Sequence, residues 1–408
     1  MVQVRPFCGI RPKAELASQV ACLPYDVLNS AEAKELAHDN PYSFFHIDKA
    51  EIDLPAELSP YDVQVYQKAA ANLQNWLNKG WLVKEDRPLL YLYELTMNGR
   101  SQTGLVATTS IDDYSTGKIK KHEFTRPEKE VDRINHIKAC DANTSPIFLS
   151  YRDKTDIQEL IANWQNQEQP VYDFTSYHEV RHRVWLINEP AIIEKLTTAF
   201  IEVPALYIAD GHHRTESAVK VGLEKRAQGK QSPESDYFLS ILFPESQLAI
   251  WEYNRVLQVP LPADFFTLLE SNFHVKQSGV KKPVAKGQIQ MYLDHTWYTL
   301  TIKDVAIPED TVGRLDVSIL QKQVFEKIFG IMDIRTDKRI DFIGGIRGPE
   351  ELERLVDSGQ WNLAFSMYPT QMHDLLAVAD AGEIMPPKST WFEPKLLSGL
   401  FLHDLETD

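Results

Sequence analysis

Val203-Pro204-Ala205-Leu206-Tyr207-Ile208-Ala209 is an apolar run that stops at Asp210-Gly211 and gives way to helix-forming sequence through Gln228. Apolar at successive positions, the run suits an inner strand covered on both faces. Gly211 permits a backbone geometry that a side chain would obstruct. His212, His213 and Arg214 follow, and Thr215-Glu216-Ser217-Ala218 begins the helix. Unpaired amides at a helix start, together with the helix dipole, attract anions. Arg214 adds a planar fork suited to phosphate oxygens, and either histidine could donate a further hydrogen bond. The plainer alternative is that Asp210 only caps the turn while the histidines pack nearby. Two histidines and an arginine at one helix start favour the anion site. A metal at His212 and His213 is not expected, because adjacent side chains diverge and no carboxylate pair at metal spacing joins them.

The rest of the chain alternates helix and strand, a mixed α/β pattern. Asn29-Ser30-Ala31-Glu32 reads as a capping box. Residues 63–77 have helical spacing, and Lys79-Gly80 closes them. Strands are expected at 89–95 and 104–108 about an Asn98-Gly99 hairpin turn. A helix follows at 128–138, with strands at 146–151, 183–187, 237–243 and 248–253. Helices are expected at 156–165 and 189–200. Beyond Pro260-Leu261-Pro262, a candidate boundary, a second hairpin turns at Asp294-His295. Further helices are expected at 318–329, 349–358 and 371–381, and strands at 340–343, 363–367 and 391–393.

At 408 residues the chain is long enough for two or three domains. Its net charge of −15 argues against broad nucleic-acid binding, which needs a cationic face, but allows a local cationic pocket. Cys8, Cys22 and Cys140 are too few and too scattered for a disulfide framework or zinc site, which fits a reducing compartment. Residues 1–10 lack the apolar run of a signal peptide, and no stretch reaches the roughly 18 apolar residues of a membrane span. The cytoplasm is the expected location.

The charged segment Lys120-Lys121-His122-Glu123-Phe124-Thr125-Arg126-Pro127 precedes the helix carrying Glu130, Asp132 and Arg133. Glu123 is a candidate general base, while Thr125, Thr144 and Ser145 could bind phosphate or a small polar substrate. A solvated charged surface is the alternative. Arg181 and Arg183 alternate on a strand, so one face there would be cationic.

Over nearly its full length the chain is identified as a member of the family called domain of unknown function 1015. The stretches that carry this are Arg5-Pro6-Phe7, Pro24-Tyr25-Asp26-Val27, His122-Glu123-Phe124-Thr125, Ala142-Asn143-Thr144-Ser145-Pro146, Arg181-His182-Arg183-Val184-Trp185, Ala209 to Arg214, and Pro387 to Lys395. The order of His-Glu, helix, Pro-Ile strand and Asp-Gly-His-His-Arg resembles the nucleotide-binding core of ParB-like proteins, sulfiredoxin and free-serine kinases. The resemblance implies an N-terminal α/β region at 1–103, a ParB/sulfiredoxin-like core at 104–259, and a C-terminal α/β region at 260–408. It implies Glu123 and Asp210 as catalytic carboxylates. Gly211, His212, His213, Arg214 and Thr215 would hold phosphates of ATP or ADP with Mg²⁺. Asp26, Thr125, Arg126, Asn143, Thr144, Ser145 and Arg255 would face a small hydroxylated metabolite such as L-serine. No nucleic-acid or membrane partner is expected, and the oligomeric state is open. Many relatives have Pro-Thr-His-Arg where this chain has Glu252-Tyr253-Asn254-Arg255. Asn254 favours the alternative of a nucleotide-binding regulator without catalysis.

Overall fold

The computed structural model describes residues 1–405. The described chain forms two compact units, one of residues 1–248 with 394–405 and the other of residues 249–393.

The first unit is built on a nine-stranded mixed sheet. In chain order its strands are β1 (Val4–Arg5), β2 (Leu90–Met97), β3 (Arg100–Ser110), β4 (Ile119–Lys120), β5 (Ile147–Tyr151), β6 (Tyr172–Thr175), β7 (Arg181–Ile187), β8 (Leu206–Asp210) and β9 (Tyr237–Pro244). Across the sheet they run β4-β8-β5-β9-β3-β2-β7-β6, with β1 beside β3. The β4/β8 and β5/β9 pairs are parallel and the others antiparallel. Met97 pairs with Arg100, and Asn98 (φ 52°) and Gly99 (φ 77°) form the tight turn that the Asn-Gly pair encodes. The core includes Leu92, Leu105, Ile147, Leu149, Leu206, Ile208, Phe238 and Leu242, all almost fully buried.

Four helices of this unit matter for the site: α1 (Ser30–Ala37), α2 (Val63–Asn78), α3 (Pro127–Cys140) and α4 (His212–Ala227). Asn29 and Glu32 close the capping box of α1 reciprocally. Pro127 at the first turn starts α3, and Asp141 ends it in the left-handed region. α3 and α4 are joined by a hydrogen bond from the Ser217 hydroxyl to the Glu130 carbonyl, 3.1 Å. α4 begins at His212, three residues earlier than the sequence suggests, because Gly211 turns in the left-handed region (φ 93°) and serves as its N-cap.

The second unit holds a six-stranded antiparallel sheet of β10 (Tyr253–Leu257), β11 (Phe273–Gln277), β12 (Gln288–Leu293), β13 (Thr296–Ile302), β14 (Ile340–Gly344) and β15 (Leu363–Met367), in the order β11-β13-β12-β15-β10-β14. The strand expected at 248–253 is broken. Ile250–Trp251 pairs elsewhere, with Trp391–Phe392, and β10 starts at Tyr253. Glu252 sits at the break, its carbonyl accepting from the Gly345 amide at 2.8 Å. The helix expected at 318–329 is a short α-helix, Asp316–Leu320, that widens into π-turns over Gln321–Glu326. Among the described residues, no helix is long and apolar enough to cross a membrane.

Candidate active site

β8 delivers Asp210 to the start of α4, and the turn is locked by its own carboxylate. Asp210 Oδ1 accepts from the Gly211 amide at 2.8 Å, and Oδ2 accepts from Lys395 Nζ at 3.0 Å. Burial works to raise the Asp210 pKa, but Lys395 and then Arg214 outweigh it and hold the group well below the usual carboxylate range.

Arg214 lies beneath this turn and is 6% exposed. Its Nη1 donates to the Pro146 carbonyl at 2.6 Å, and its Nη2 lies 3.8 Å from Asp26 and 3.9 Å from Asp210. Its Nε is buried without a hydrogen-bond partner. A Cβ on Gly211 would stand 3.2 Å from that Nε, so only glycine lets the guanidinium pass so close to the turn. Among the described residues, the amides of His212, His213 and Arg214 donate to no protein group, whereas the Thr215 amide already bonds the Gly211 carbonyl.

The His-Glu segment reaches the same place. The rings of His122 and His212 meet edge to face with centroids 4.6 Å apart, and the His122 amide donates to His212 Nε2 at 3.4 Å. Glu123 Oε2 is 4.0 Å from His212 Nδ1. His213 diverges, as adjacent residues should, and its Nε2 accepts from the Arg126 amide at 2.9 Å, just before α3. Burial lowers the pKa of all three histidines, His122 to about 4, so they are neutral hydrogen-bonding groups at pH 7.

The other residues expected at the ligand make the following bonds within the protein. The Thr215 hydroxyl donates back to the Gly211 carbonyl at 3.0 Å and is fully buried. Thr125 donates to Glu130. Asn143 Oδ1 accepts from the Leu239 amide at 3.1 Å and contacts His403 at 3.2 Å, tying β9 to its surroundings. Thr144 and Ser145 donate to Asp48, at 3.4 and 3.0 Å. Arg255 belongs to the second unit, where it is buried and donates to the carbonyls of Tyr253 and Lys388. Asn254 is likewise a structural tie, accepting from the Met367 amide at 3.0 Å.

Asp48 is the centre of a cluster that the sequence did not mark. It is 2% exposed and is bonded by Ser145, Thr144, Ser398 and Arg133. Arg133 also bonds Asp132 at 2.9 Å and stacks over Tyr25 at 3.9 Å. Tyr25 and Arg133 line two cavities. One of about 20 Å³, room for roughly one water, lies against Arg214. The other, of about 250 Å³, has Asp26, Asp48, Asp132 and Tyr66 in its walls.

Residues 4–318 match the family described as "Protein of unknown function (DUF1015)". The chain belongs to this family. Among solved structures it is similar to a free serine kinase mutant in complex with AMP, with a TM-score of 0.37, 12% identity, and coverage of 71% of this chain and 86% of that one. It is similar also to a conserved hypothetical protein from Pyrococcus furiosus (TM-score 0.35, 12% identity, 73% and 95% covered). SbnI with a C-terminal truncation from Staphylococcus aureus gives a TM-score of 0.37 at 15% identity, with 72% and 85% covered. No curated protein matches the chain.

Proposed function

We propose that this protein binds a nucleotide by its phosphates at the start of α4 and transfers a phosphoryl group from ATP or ADP to a small hydroxyl metabolite, free L-serine being the first candidate. One observation carries the reading: three unengaged amides and the buried, acceptor-less Nε of Arg214 stand at one helix start. A phosphate supplies the oxygens that all four donors need. The resemblance of the His-Glu pair and the Asp-Gly-His-His-Arg loop to free-serine kinases agrees with it.

In this reading Glu123 takes the proton of the acceptor hydroxyl. The oxygen forms a bond to phosphorus as the bond to the leaving nucleotide breaks, and Arg214 and the α4 amides stabilise the charge on the transferring group. Asp210 positions the loop instead of reacting, since Gly211 and Lys395 already occupy its oxygens. The 250 Å³ cavity is sized for a small metabolite, and Asp26 lies in its wall and 3.8 Å from Arg214. Mg²⁺, which takes oxygen ligands, would be held by the phosphates and by the exposed Asp26 carboxylate.

The test is a titration with ADP and ATP followed by product analysis over a panel of hydroxylated metabolites, O-phosphoserine first. No product with either nucleotide, alongside tight binding, returns the protein to a regulatory role. An unchanged melting temperature across the titration removes the nucleotide altogether.

A further inference from the structure

We propose that His122, Glu123 and His212 form a binding site for one borderline divalent ion of the Zn²⁺ type. Each offers a ligand atom, and the three atoms lie within 4.8 Å of one another. Two imidazoles and one carboxylate, with a coordination position left for a further ligand, form the donor set of an open zinc site. Nitrogen donors select against Mg²⁺, which keeps to oxygen, so this ion is distinct from the one that travels with a nucleotide.

The geometry supports the assignment at each ligand. A ring nitrogen of His122 is bonded to the Ile208 carbonyl on β8. That is the outer support a metal-bound imidazole ordinarily has, and it fixes the tautomer whose other nitrogen carries a lone pair. His212 presents Nδ1 toward Glu123 across 4.0 Å. A tetrahedral ion with bonds of about 2.0–2.2 Å sets two ligand atoms about 3.4 Å apart, so the part-exposed Glu123 side chain closes on His212 by roughly half an ångström when the ion binds. Coordination through Nδ1 places the ring proton on Nε2, so the ion exchanges the long 3.4 Å contact from the His122 amide for a coordinate bond. Both imidazoles are buried and Glu123 is part-exposed, which leaves entry from the solvent side. The three come from two separated motifs, so neither motif alone shows the site.

The inference does not rest on phosphoryl transfer. If both hold, the ion and the carboxylate share the position of the acceptor hydroxyl, and a hydroxyl bound to such an ion loses its proton more readily.

The experiment uses tag-free full-length protein stripped with a chelator. Zn²⁺ is titrated calorimetrically, and Co²⁺ is added as a spectroscopic probe. One ion per chain is expected, with Co²⁺ absorption bands showing nitrogen ligation. Glu123→Ala, at a part-exposed position that should not disturb folding, is expected to weaken Zn²⁺ at least tenfold, and His212→Ala and His122→Ala to abolish the Co²⁺ bands. No stoichiometric binding to the wild type, or equal binding by wild type and Glu123→Ala, overturns the proposal. ADP is titrated separately into the stripped protein, so failure of the metal site and failure of the nucleotide site are read independently.

Discussion

Lys395 Nζ sits 3.0 Å from Asp210 Oδ2, joining residues 185 positions apart in the chain at the turn into α4. The bond is charge-assisted and the lysine side chain is only 14% exposed. Lys395→Met keeps the packing of the stem and removes the charge. It is expected to cost about 1.5–3 kcal/mol in urea denaturation and to weaken ADP binding, because the carboxylate that orders the turn loses its main partner. Full ADP affinity in the variant would show that the turn holds its shape without Lys395.

Gly211 is the second point of control. At φ 93°, with Arg214 Nε 3.2 Å from where a Cβ would stand, alanine is both strained and crowded. Gly211→Ala is expected to lower stability by about 1–3 kcal/mol and to weaken ADP binding more than Lys395→Met does. Thermal melts with and without ADP separate the two effects.

Glu123→Gln preserves size and hydrogen bonding but cannot accept a proton. Turnover is expected to disappear while the nucleotide dissociation constant changes less than about threefold, a difference below roughly 0.7 kcal/mol. Phosphoserine formation that survives the substitution would move the base elsewhere.

The Asp48 cluster gives a pH prediction. Burial works to raise the Asp48 pKa, but Arg133, then His136, Ser145 and Ser398, overcome it and hold the group below its normal value. A depressed carboxylate adds stability above its unfolded pKa of about 3.9 and loses it as pH falls through the folded value. Asp48→Asn is therefore expected to cost about 3 kcal/mol at pH 7, since it strips a partner from buried Arg133. The gap between variant and wild type should close in melts taken progressively below pH 4. A gap independent of pH would assign the loss to packing alone.

Local signals carried much of the fold. Asn98-Gly99 and Asp294-His295 encode turns that need positive φ at both positions, and both are observed. Asn29 with Glu32 announced α1, and Gly211 announced the turn into α4. Long-range placement was not legible. Thr144 and Ser145 were expected at phosphate or a small polar substrate, and Asn143 entered by resemblance, but nothing local shows what these side chains bond within the protein. Thr144 and Ser145 donate to Asp48, almost 100 residues away, and Asn143 accepts from the Leu239 amide. The Pro387–Lys395 stretch was marked by resemblance, but nothing local pairs Lys395 with Asp210. The grouping of His122, Glu123 and His212 was not legible because the sequence brings His212 beside His213, while the fold brings it to His122, 90 residues away.

Because the first unit resumes only at Pro394, the Asp210–Gly211 turn is translated long before the lysine that bonds it. On an elongating ribosome Asp210 must wait, its charge unneutralised by Lys395, while the entire second unit emerges. A polypeptide halted within the second unit would therefore carry every residue of the Asp-Gly-His-His-Arg motif yet lack one of the two cations that hold the Asp210 carboxylate.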